Sequence, residues 1–128
     1  MQYDFPIVPL CTPRHVRPRV PLMVSGYALA REELDAYGDR YGLLDDSGPL
    51  NLFFVIVDHV AARLPAAKRR IARVRKPGDR LLSTCFVIAS NRNSRRRDGV
   101  NDRVLIKQLQ EILQVQGPPQ WYVMATDY

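Results

Sequence analysis

Lys76-Pro77-Gly78-Asp79 constrains the fold of this chain more than any other four residues. Proline at the first central position of a turn presets φ near about −65°, and glycine at the second supplies the positive φ that a type II turn demands. The turn separates residues 69–75 from residues 81–90, two stretches that read as strands. An antiparallel hairpin therefore sits in the middle of the chain, and the remaining elements must pack around it. Upstream, Leu22, Met23 and Val24 read as a short strand that ends in a turn at Ser25-Gly26-Tyr27. Ala30, Leu34, Tyr37 and Tyr41 then recur at i, i+4, i+7 and i+11, with Glu32 and Glu33 in the first turn and Gly42 just past the end. That is the signature of an amphipathic helix. Ser47 is placed to cap a second helix that stops before Pro65, although residues 53–57 are also rich in strand-favouring types. After the hairpin, the polar stretch 91–99 reads as a loop. Val104 or Leu105 with Leu109, Ile112 and Leu113 then marks a third helix, capped by Asp98 or Asn101 and stopped at Gly117-Pro118-Pro119. Residues 121–125 form a closing strand. The order β-α-α-β-β-α-β predicts an α+β fold with a ferredoxin-like split βαβ arrangement, an antiparallel sheet carrying helices on one face.

The chain has 128 residues, 46% of them apolar, enough for one domain that buries about two-thirds of its unfolded surface. Pro6, Pro9, Pro13, Pro18 and Pro21 crowd its start, so residues 1–19 are expected to be a proline-rich extended arm, lying along a sheet edge or reaching outward, and residues 20–128 the single α+β domain. The longest apolar run, residues 52–57, is far short of the roughly 20 residues that span a bilayer. Two cysteines and no apolar leader argue for a reducing, intracellular compartment, cytoplasmic or nuclear, and against a disulfide scaffold.

The net charge of +6 conceals a segregation: residues 1–30 carry +2, residues 31–62 carry −5, residues 63–107 carry +11 and the remainder −2. Arginine outnumbers lysine sixteen to three, which suits bidentate contact with phosphate or carboxylate. Lys68, Arg69 and Arg70 lead into the first hairpin strand, and Arg92, Arg95, Arg96 and Arg97 follow the second. An antiparallel hairpin returns the end of its second strand to the start of its first, so the two clusters should converge into one anion-binding patch. The partner would be an acidic protein surface or a nucleic-acid backbone. Alternatively the acidic helical segment neutralises the basic one, within the chain or across a homo-oligomer. Base stacking on the sheet is not supported, since the second hairpin strand offers Phe86 alone and no paired-aromatic pattern. The arginine clusters also resemble nuclear-import signals, a pattern of low specificity.

Catalytic and metal chemistry finds little material. Cys11, His15, His59 and Cys85 lack paired zinc-ligand spacing, and no glycine-rich phosphate loop is present, so no metal or cofactor is expected. Asp58 and His59 are adjacent on a helix and point about 100° apart, which prevents the carboxylate from orienting the imidazole. Asp45 and Asp46 precede a helix, where acids favour its dipole. Tyr37 and Tyr41 fall on the apolar helical face and are expected in the core.

Pro21-Leu22-Met23-Val24-Ser25-Gly26-Tyr27-Ala28-Leu29 with Tyr41-Gly42-Leu43, and the closing Pro118-Pro119-Gln120-Trp121-Tyr122, resemble stretches of small uncharacterised α+β proteins numerous in mushroom-forming fungi. The resemblance runs from about residue 20 to the end, leaves out the arginine-rich loop, and implies an intracellular fungal protein with no activity to carry over. Three functional readings follow from the residues. One is a non-enzymatic binding module using the arginine-rich patch. The second is a self-associating structural protein, joined through a sheet edge or opposite charges. The third is a small cofactor-free enzyme with His59 as acid/base, partnered by Asp45, Asp46 or a tyrosine.

Overall fold

A computed structural model describes residues 8–13, 19–43 and 49–125. The central hairpin forms as its turn requires: Gly78 adopts φ +84°, and the Asp79 N–H donates to the Lys76 carbonyl at 3.0 Å. Its strands are β2 (Ile71–Val74) and β3 (Ser83–Ser90). Preceding them are β1 (Met23–Leu29), α1 (Arg31–Arg40) and α2 (Pro49–Ala61); following them are α3 (Ser94–Asp98), α4 (Arg103–Leu113) and β4 (Gln120–Val123). The sheet is antiparallel in the order β2-β3-β1-β4. Strand β3 is thus inserted between β1 and β2, the two strands that the α1–α2 connection joins, and the helices with this antiparallel sheet make an α+β fold, as expected.

Several local expectations are corrected. Ser25-Gly26-Tyr27 lies within β1 rather than in a turn after it. Glycine is required there by contact: a Cβ on Gly26 would fall 2.0 Å from the Phe86 carbonyl oxygen. The register slips beside it, with Ser25 opposite Ala89 and Gly26 opposite Val87, a bulge that bends both strands. The second helix, by contrast, forms as expected, with residues 53–57 helical and Ile56 and Val60 buried. The stretch 91–99 contains the short helix α3, whose N-terminus is capped by Asn93 Oδ1 accepting from the Arg96 N–H at 2.9 Å. Helix α4 is capped by Asp102, not Asp98 or Asn101, through the Leu105 N–H at 3.1 Å. It ends earlier than Gly117, with Gln114 in the left-handed region. Gly117 instead accepts hydrogen bonds from Tyr27 Oη (2.8 Å) and Gln110 Nε2 (2.9 Å), which fixes the approach to β4.

The two edge strands meet at one corner. Val74 forms a bridge with Met124, and the Ala125 N–H donates to the Arg73 carbonyl at 2.9 Å. The sheet has coiled until diagonally opposite corners touch, so its concave face is enclosed. Val24, Ala28, Ala72, Val74, Cys85 and Val87 fill that face, with Tyr122 and Met124 packed against them. The buried side chains of that interior are all valine-sized or smaller, while the larger Tyr122 and Met124 are only partly buried. The convex face carries Tyr27, Leu29, Phe86 and Ile88 into the main core with Leu34, Tyr37, Ile56, Val60, Leu105 and Leu109 of the helices. Both faces of β3 are therefore buried along its whole length. Trp121 and Tyr122 serve opposite faces, as alternation along the strand requires. Among the described residues, no helix is long and apolar enough to cross a membrane.

Candidate functional site

The end of β3 is anchored by Asn91, which is fully buried. Its Oδ1 accepts from the Met23 N–H at 2.7 Å, and its Nδ2 donates to the carbonyls of Pro9 (3.0 Å) and Pro21 (2.9 Å). The Cys11 N–H completes the set by donating to the Asn91 carbonyl at 2.8 Å. One amide thereby ties the described part of the proline-rich arm, the entry to β1 and the exit from β3 into a single node. The arm also folds back on itself, Thr12 pairing with Val20, and Val8 is buried. From that node the chain leaves the sheet at Arg92, whose N–H donates to Ser90 Oγ at 3.4 Å, and α3 then presents Arg96.

Antiparallel pairing brings the start of β2 to the same place. A cavity of about 340 Å³ opens there, lined by Arg69, Arg70, Arg92 and Arg96 around a floor of Leu22, Val24, Ala72, Val87 and Met124. It is the open end of the coiled sheet, so apolar strand residues form the bottom and guanidinium groups the rim. Arg70 is the most constrained of the four. Its Nη2 donates to the Ile88 carbonyl at 3.2 Å, while its Nε is shielded from solvent with no hydrogen-bond partner. Burial, and secondarily the nearby positive charge of Arg96, pull its pKa below the ordinary guanidinium value. Arg69 is held by its Nε, which donates to the Leu64 carbonyl at 2.9 Å. Among the described residues, no carboxylate forms an ion pair with any of the four arginines.

The other basic residues singled out in the sequence have different placements. Lys68 pairs with Asp102 at 3.1 Å, and Arg97 donates from Nη1 to the Val8 carbonyl at 3.1 Å, so both are spent on structure. Arg95 is exposed on α3 and does not line the cavity. The acidic helix α1 meets the basic hairpin through Glu33 and Lys76, 3.1 Å apart, at the turn end of β2 and away from the cavity. Sequence reasoning found the four arginines but missed Asn91 and the apolar floor. Asn91 stands beside Arg92 in a polar run and carries no signal of burial, and the floor depends on the coiling of the sheet.

His59 belongs to an aromatic cluster under α1 and α2. Its Nδ1 lies 2.6 Å from the Tyr37 hydroxyl, its ring centroid lies 4.9 Å from that of Tyr41, and Arg63 sits 4.8 Å over the Tyr41 ring. Burial and the charge of Arg63 lower the His59 pKa; burial foremost, and the neighbouring Tyr41, push Tyr37 up to about 12. His59 lines neither this cavity nor the larger one beside α1 and α2. Asp45, Asp46, Ser47 and His15 lie outside the described residues. Cys85 is buried inside β3, which raises its thiol to about 12. Among the described residues, no three His, Cys, Asp or Glu side chains are grouped to hold a metal ion. Comparisons with protein-family models, with curated proteins and with solved structures find no match to this chain.

Proposed function

We propose that this domain is a binding module that engages an anionic partner by seating a phosphate or carboxylate group in the four-arginine cavity. The observation that carries the reading is Arg70: a guanidinium half-buried beside another positive charge, with a shielded Nε that has no acceptor. Burying a donor without a partner costs about 1–3 kcal/mol, and the charge of an anion in the cavity would offset that cost while relieving the repulsion between Arg70 and Arg96. Guanidinium forks match the paired oxygens of both acid types, and the concave rim presents four of them toward one ligand group. Arg92 and Arg96 are exposed and free to close on it, whereas Arg69 and Arg70 are fixed by carbonyls behind them.

Retention on a heparin column tests this reading. Arg96→Ala should elute at clearly lower salt than the wild type, and Arg95→Ala, the same loss of one charge on the same short helix outside the cavity, should elute nearly unchanged. Equal losses for the two would mean that only bulk charge is sensed, and the cavity reading would fall.

A further inference from the structure

A second, larger cavity of about 600 Å³ lies on the far side of the sheet, between α1, α2 and the hairpin. That volume is within the roughly 300–1,000 Å³ typical of small-molecule pockets, which are mostly apolar with a few placed polar groups. Leu34, Phe53, Phe54, Ile56, Leu81 and Leu82 form most of its wall. Two of these stand at the rim largely in water, Phe54 at 56% and Leu81 at 72% exposure. Large apolar side chains left exposed around a concavity mark a surface that an apolar ligand would cover.

The polar groups of the wall are few and asymmetric. Arg73 is preorganised: its guanidinium lies 5.5 Å over the Phe53 ring, and its Nη1 donates to the buried Thr84 Oγ1 at 3.3 Å. Its other N–H groups remain for a ligand. Arg31 is the first residue of α1, where the helix dipole is already positive, so it adds charge where a cation is disfavoured. Asp35 lies one turn further along the same helix, and the wall carries two positive charges to one negative. That surplus of one positive charge matches a single acid group, and a second would leave the filled cavity net negative. The edge-to-face pair of Phe53 and Phe54, with centroids 5.5 Å apart, offers aromatic surface beside the guanidinium.

We propose that this cavity binds a small aromatic monocarboxylic acid, with its ring against Phe53, Phe54 and Leu81 and its carboxylate on Arg73 and Arg31. The site is separate from the four-arginine cavity and stands whether or not that one binds an anion.

Calorimetric titration with naphthoate, and with the uncharged naphthalenemethanol as its isostere, tests the assignment. The acid should bind about tenfold more tightly than the alcohol, the equivalent of one charge-assisted contact. Arg73→Gln should erase that preference, and Arg31→Gln, at an exposed position that starts α1, should reduce it. Leu81→Ser should weaken acid and alcohol alike, and Arg96→Ala should change neither. Equal affinity for acid and alcohol, absence of binding, or an acid preference that survives both Arg73→Gln and Arg31→Gln would overturn the proposal. So would loss of the preference in Arg96→Ala, which would move the acid to the other cavity.

Discussion

Replacing Arg96 by alanine should make the free protein more stable and its complex with an anion weaker. Burial first and Arg96 second lower the Arg70 pKa, and the Arg96 part is a repulsion between two positive charges in the absence of a ligand. Because Arg96 is exposed and screened, the repulsion is worth only about 0.5–1 kcal/mol, the upper part of the range for surface pairs. For a domain of this size that corresponds to a rise in Tm of roughly 2–4 °C. The Arg96 backbone N–H, which carries the cap bond to Asn93, is untouched by the change, and alanine is the better helix former. Binding should respond in the opposite sense: losing one charge-assisted contact at the rim costs about 1–2 kcal/mol, or five- to thirtyfold in affinity for pyrophosphate. The assay is thermal unfolding at low salt with and without pyrophosphate, beside Arg96→Lys, which keeps the charge. The stabilisation should shrink in molar salt, where the Debye length falls to about 3 Å. A Tm that does not rise at low salt would refute the claim of repulsion, and an unchanged pyrophosphate affinity would refute the claim that Arg96 belongs to the site.

Asn91→Ala leaves the Met23 N–H and the Pro9 and Pro21 carbonyls without their partner, and should cost about 2–4 kcal/mol, with faster proteolysis of the arm as a second readout. Gly26→Ala should cost at least about 3 kcal/mol or prevent folding, because the new methyl group cannot coexist with the Phe86 carbonyl 2.0 Å away; denaturant titration checks it. Tyr37 is raised to about 12, so its contribution to stability is complete below the unfolded value of 10 and is lost as pH climbs from there toward 12; Tyr37→Phe should flatten that alkaline limb of a Tm–pH profile. His59 is shifted the other way, neutral in the fold at a pH where the unfolded residue is protonated. Its contribution is therefore lost as pH falls through and below about 6.5, and NMR titration of its ring should give a midpoint under that value.

What could be read from residues alone followed the reach of local signals. The Pro77-Gly78 turn and the α1 periodicity are local and were legible, and with the element order they implied an antiparallel α+β sheet. Gly26 misled because a glycine tolerated in a turn and one demanded by a neighbouring strand look the same in sequence. The cap of α4 moved to Asp102 for a similar reason: Asp98, Asn101 and Asp102 are all competent caps, and only the path of the 3-10 turn Gly99–Asn101 selects among them. At the arginine cavity, hairpin geometry indicated which segments meet. It did not indicate that Lys68 would be taken by Asp102 or Arg97 by the arm, since those contacts depend on α4 and on the fold-back of residues 8–13. The coiling that joins Val74 to Met124 and hollows out the cavity floor is a property of the whole sheet.

The central claim is that four arginines act as one anion site, and their side-chain Nε–Hε signals report on it directly during an NMR titration with pyrophosphate at physiological salt. Arg69, Arg70, Arg92 and Arg96 should shift along one saturating curve, the shielded Arg70 Nε–Hε moving furthest, while Arg95 and Arg97 stay in place. Weak, non-saturating shifts shared by all the arginines would contradict it.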